Sequence, residues 1–145
     1  MNKKKTNIIA VGIVVMALFI TGTQCISAGE TADTELQISS IKGGLLQVSI
    51  DIENIGSVTA ENITSSISVT GGIFNKINVY HECSGCSSCG TTLEPGAIKT
   101  ESTREAGIIF GFGPITIDIT AGALNADTVT ASAQGFVIGF FVLIQ

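Results

Sequence analysis

The chain has 145 residues, 45% of them hydrophobic, with a formal charge of −5 and an isoelectric point near 4.6. Seven basic residues against twelve acidic ones offer no surface that could follow a phosphate backbone, which excludes nucleic-acid binding. One histidine, no paired-carboxylate motif and no G-x-S-x-G elbow leave no catalytic constellation, so the chain reads as a non-enzyme with no required cofactor.

Lys3, Lys4 and Lys5 precede the apolar run Ile8–Ile20, which is the pattern of a segment handled by the secretion machinery. Residues 1–29 therefore read as a signal peptide or as an N-terminal membrane anchor. The run suits a signal-peptide core of about 7–15 residues better than a span of about 20. No charge falls between Thr6 and Gly29, however, so a longer apolar helix can form. Ser27-Ala28-Gly29 supplies small residues for cleavage after Gly29. A lipoprotein modified at Cys25 is a third reading, which Gln24 fits poorly. The first two readings put the remainder outside the cytoplasm, secreted or tethered with the C-terminal domain exposed. Twelve acids against Lys42, Lys76, Lys99 and Arg104 then give residues 30–145 a charge of −8.

Residues 30–145 read as one domain dominated by period-2 alternation. In Leu46–Glu53 the even positions are apolar and the odd ones polar, until Asn54-Ile55-Gly56 breaks the strand. Alternation resumes in the opposite register at Ile63, Ser65, Ile67 and Val69 and stops at Gly71-Gly72. Ile73–Tyr80 is the next expected strand. Glu94-Pro95-Gly96 is a turn, Ile115–Thr120 alternates again, and Thr128–Gln134 is a weaker strand with small residues inside. Nothing after Glu30 keeps a helical period. The expectation is all-β: a single antiparallel, immunoglobulin-like sandwich of about seven to eight strands, preceded by an apolar helix.

Val48-x-Ile50-x-Ile52-x-Asn54-x-Gly56, followed by Thr59-Ala60-Glu61-Asn62-Ile63, resembles the strand–turn–strand core of CARDB-type domains. These are cell-adhesion-related, immunoglobulin-like sandwiches of prokaryotic surface proteins. Leu93-Glu94-Pro95-Gly96 is similar to the L-x-P-G turn those domains place before a later strand. The likeness covers about residues 36–134. It implies a non-catalytic extracytoplasmic module for adhesion, presentation or assembly, whose partners are cell-surface or envelope components.

His81-Glu82-Cys83-Ser84-Gly85-Cys86-Ser87-Ser88-Cys89-Gly90 concentrates the chain's chemistry in what reads as a cysteine-rich hairpin loop, residues 81–90. Two chemistries fit. In an oxidising exterior Cys83 and Cys89 form a disulfide clamp, with Cys86 as the alternative partner. Alternatively, His81, Cys83, Cys86 and Cys89 supply a tetrahedral zinc set. Redox catalysis fits poorly, because Glu82 beside Cys83 disfavours a thiolate.

The last segment, residues 135–145, is apolar on both faces and too short to span a membrane as a helix. It reads as a final strand whose second face needs a cover: a neighbouring loop or the leader, another copy of the chain, or the membrane surface. Asn62-Ile63-Thr64 is a glycosylation sequon. Asp51, Glu53, Asp118 and Asp127 form no calcium-loop motif and read as solvated. Gly107–Gly113 lacks the Lys-Ser/Thr of a phosphate loop and reads as a buried strand and turn. Together these features predict a structural or adhesion module. A pilin-like filament subunit, assembling through the helix or the apolar tail, is the first alternative, and a small metal-binding module the second.

Overall fold

The computed structural model describes residues 33–84 and 92–145. The leader with its apolar helix and Cys25, and both Cys86 and Cys89, lie outside those residues. Among the described residues eight strands form two antiparallel sheets: β1 (Leu36–Gly43), β2 (Val48–Asn54), β3 (Thr64–Gly71), β4 (Ile77–Cys83), β5 (Ile98–Ser102), β6 (Gly111–Ala123), β7 (Ala126–Gly139) and β8 (Phe141–Ile144). The three-stranded sheet runs β1-β2-β5 and the five-stranded sheet β4-β3-β6-β7-β8.

The inner faces follow directly from the alternation. Val48, Ile50 and Ile52 of β2, Ile67 and Val69 of β3, and Ile115, Ile117 and Ile119 of β6 form one buried core with Ile63, Ile109 and Val137. Removing each such side chain from water contributes about 1.5–3 kcal/mol, so these three strands hold the sheets together. β1 escapes notice in the sequence because its alternation is broken. Leu36 and Ile38 face in, the pairing slips at Ser39, and Ile41 then takes the inward position opposite Ile50. One extra residue reverses the parity, as a β-bulge does.

Several boundaries differ from the sequence reading. β2 starts at Val48, because Leu46 sits in a turn with φ of 65°. The strand expected at 73–80 runs instead over Ile77–Cys83. Residues Ile73–Asn75 form a 3-10 turn, with Phe74 and Asn75 at φ of 59° and 52°, which interrupts extended chain. The connection from β4 to β5 is not a hairpin, since it passes from the five-stranded sheet to the three-stranded one.

The tail is two strands, not one. β7 continues to Gly139, the chain turns at Gly139-Phe140, and β8 folds back, pairing Gly135 with Ile144 and Ile138 with Phe141. Gly139 makes this turn with φ of 62°, a conformation that costs a side-chain-bearing residue energy. The outer flank of β8 is met by the β1–β2 turn: Val142 N–H donates to the Gly44 carbonyl (2.9 Å) and Leu46 N–H to the Phe140 carbonyl (2.7 Å).

Candidate functional site

His81 and Cys83 alternate with Tyr80 and Glu82 on β4, which puts the first two on the inner face and the second two outside. His81 is buried at 8% exposure and lies opposite Ile67; Cys83 is at 3% and lies opposite Ser65. Cys83 is engaged in a disulfide. A sulfur so engaged is not a thiolate ligand, so the zinc set and the disulfide are mutually exclusive states of this residue. Among the described residues no group of three or more His, Cys, Asp or Glu side chains converges as a metal site. The loop itself begins at Ser84, whose hydroxyl donates to Glu82 Oε1 (3.0 Å). Tyr80 donates its phenolic proton to the other oxygen of Glu82 (3.1 Å), and that bond raises the phenol above its ordinary pKa.

The inner face of β5 is charged. Lys99 lies opposite Ile52 and Glu101 opposite Ile50, so both share the core-facing side of the three-stranded sheet. Lys99 Nζ stands 3.0 Å from Glu101 Oε1, and His81 Nε2 is 3.8 Å from Glu101 Oε2. This polar cluster joins the β5 edge of one sheet to the β4 edge of the other. Inward-pointing charge at a sheet edge discourages a foreign strand from pairing there, because the charge would then need a partner in a dry interior. The Ser65 hydroxyl nearby is buried without a hydrogen-bond partner among the described residues.

The carboxylates weighed for calcium do not converge. Asp51 and Glu53 stand on β2 in one sheet, Asp118 and Asp127 on β6 and β7 in the other. Asp51 accepts from Lys42 Nζ (2.6 Å) and the Thr100 hydroxyl (2.7 Å), which lowers its pKa, while Asp118 accepts from the Ser132 hydroxyl (2.8 Å). Asn62 is exposed with φ of 56°, between Glu61 and the buried Ile63. A surface groove of about 600 Å³ runs between residues 33–36 and 124–129 and carries Asp33, Glu35 and Asp127.

The feature that the sequence reading placed least well is the outer face of β6, β7 and β8. Along one row, Phe112, Ile138 and Phe141 stand opposite one another; along the next stand Pro114, Phe136 and Leu143. Leu45, bridged to Phe141, extends the first row. Phe110 packs on Phe140 with ring centroids 4.9 Å apart, and Phe112 meets Phe136 edge-on at 5.2 Å. Ile108, Phe110 and Phe112 of the glycine-rich run are 65%, 58% and 53% exposed; only Ile109 of its large apolar residues is buried, which corrects the expectation of a buried strand. In the next two rows along the same face the residues turn polar, with Thr116 opposite Gln134 and Asp118 opposite Ser132. None of the residues that form these two apolar rows and their aromatic pairs is charged. Alternation could have flagged it: Phe110, Phe112 and Pro114 continue the outward register of β6, and Phe136 and Ile138 that of β7.

No family model matches the chain. No curated protein sequence matches it either. Among solved structures it is similar to the archaellum periplasmic stator protein complex FlaF and FlaG from Sulfolobus acidocaldarius, at 16% identity and a TM-score of 0.45, covering 77% of this chain and 98% of that one.

Proposed function

We propose that this chain is a non-catalytic structural or adhesion module of the cell surface, an immunoglobulin-like sandwich of the CARDB kind that acts through protein–protein contact. One observation carries the reading: one end of the outer face of β6, β7 and β8 is lined by aromatic and aliphatic side chains that stand open to solvent. Exposed apolar area of this kind marks a docking surface. The location outside the cytoplasm rests on Lys3–Lys5 before Ile8–Ile20 and on the disulfide at Cys83, which an oxidising compartment preserves. The CARDB kinship is supported by the meeting of its two quoted motifs. Asn54 Nδ2 donates to the Leu93 carbonyl, and Gly96 N–H donates to the Asn54 carbonyl.

The test places a photo-crosslinking residue at Ile138 in the producing cells, with protease added to intact cells in parallel. The proposal expects crosslinks to proteins of the cell envelope and digestion of the domain from outside. Crosslinks to cytosolic proteins, or full protection from external protease that ends on lysis, would overturn it.

A further inference from the structure

Resting on that reading of the outer face, we infer that its occupant is a second copy of this chain, packed patch on patch about a two-fold axis. Leu45, Phe110, Phe112, Ile138, Phe140, Phe141 and Leu143 are each 48–59% exposed. Half of a side chain of this size is roughly 100 Å², so the seven offer about 700 Å² of apolar surface. That exceeds the roughly 300–600 Å² of the largest patch on an ordinary monomer. It approaches the roughly 800 Å² that each partner contributes to a standard stable interface. An isologous contact needs a surface complementary to itself. A charge-free patch meets that condition without any matching pattern of signs, and the tilted and edge-on phenyl pairs supply ridges and gaps for another such surface to enter.

The distribution of charge argues against the other obvious occupant, an anionic bilayer surface. Such binding uses Lys and Arg around the apolar face. Residues 30–145 hold only Lys42, Lys76, Lys99 and Arg104 and carry −8. Lys42 is bound to Asp51, and Lys99 lies beside Glu101. Two copies, each net negative whether as the full chain at −5 or as residues 30–145 at −8, repel at long range, which screening relieves, so association tightens with salt while lipid binding driven by basic residues would weaken.

The deciding experiment is sedimentation equilibrium of the full chain in density-matched detergent, together with photo-crosslinking from position 136. The expected result is a dimer with a Kd of about 10 μM or tighter, strengthened between low and high salt. Ile138→Glu should weaken it by at least about 100-fold, since each charge would be buried in apolar surroundings. Ser132→Glu, at the polar end of the same face, should leave it intact. Crosslinks between two copies of the chain support the proposal even if Ile138→Glu fails to fold. A monomer throughout that range, or a dimer indifferent to Ile138→Glu with unchanged circular dichroism, overturns it. Crosslinks to a different envelope protein overturn the second copy but leave the docking module standing. Crosslinks to lipid or detergent alone overturn both.

Discussion

Replacing Asn54 by alanine tests the cross-strand wiring at one residue. Asn54 is 0% exposed at the end of β2. Its amide donates to the carbonyls of Val58 (2.8 Å) and Leu93 (2.7 Å), and its side-chain oxygen accepts from Gly56 N–H (3.1 Å). Each net hydrogen bond contributes about 1 kcal/mol, and an acceptor left unpaired in the interior adds about 1–3 kcal/mol. The Leu93 carbonyl keeps a second donor, Ala60 N–H, and Gly56 N–H also faces the Glu35 carbonyl, so the larger loss falls on Val58. Asn54→Ala should therefore destabilise the domain by about 3 kcal/mol, a large part of a total near 5–15 kcal/mol. Asn54→Asp sharpens the test. It keeps the shape and the bond from Gly56 but turns a carboxylate oxygen toward two carbonyls. At neutral pH it should cost more than alanine. The excess should shrink as pH falls, because burial and the facing carbonyls raise that carboxyl group's pKa and its protonated form can donate again. Urea unfolding followed by far-ultraviolet circular dichroism at pH 7 and at lower pH reads both effects. A cost under about 1 kcal/mol for alanine, or an aspartate variant indifferent to pH, would refute the assignment of Asn54 as the clasp between the β2 end and the Leu93 turn.

Phe74 is 88% exposed in a left-handed conformation (φ 59°, ψ 27°), so Phe74→Gly should stabilise the fold by about 1 kcal/mol, read as a raised urea midpoint; a lowered midpoint would show that the ring has contacts worth more than its strain. Tyr80 is the chain's sole tyrosine and tryptophan is absent, so absorbance at 295 nm follows one phenol; it should titrate above its ordinary value, and Glu82→Gln should bring it down. Lys42, and after it Thr100, hold the Asp51 carboxyl below its usual pKa, so the pair stabilises above about pH 4 and the contribution is lost as pH falls through the lowered folded value. Lys42→Met should raise the Asp51 pKa by NMR titration while costing no more than about 1 kcal/mol, because the lysine is exposed.

The alternation over Val48–Ile52, Ile67–Val69 and Ile115–Ile119 was sufficient to specify three inner faces and the all-β class, because a strand exposes its two sides in strict turn. The Glu94-Pro95-Gly96 turn was legible for an equally local reason. Glu94 accepts from Ala97 N–H (2.9 Å), with Gly96 at φ of 74° in the position that suits glycine. Likewise, His81 and Cys83 could be placed two residues apart, but not on the inner side of a strand. The partners of that strand are Ile67 and Ser65, some 14 to 18 residues earlier. Glu101, which meets His81 from the other sheet, was not singled out at all. Tertiary structure alone decided which half of an apolar segment faces the core. In Gly135–Ile144, Val137 and Val142 are buried while Ile138, Phe141 and Leu143 are exposed. Local sequence fixes the period with which side chains leave the backbone. Which side meets the other sheet, and which is left bare for a partner, depends on packing between residues distant in the chain.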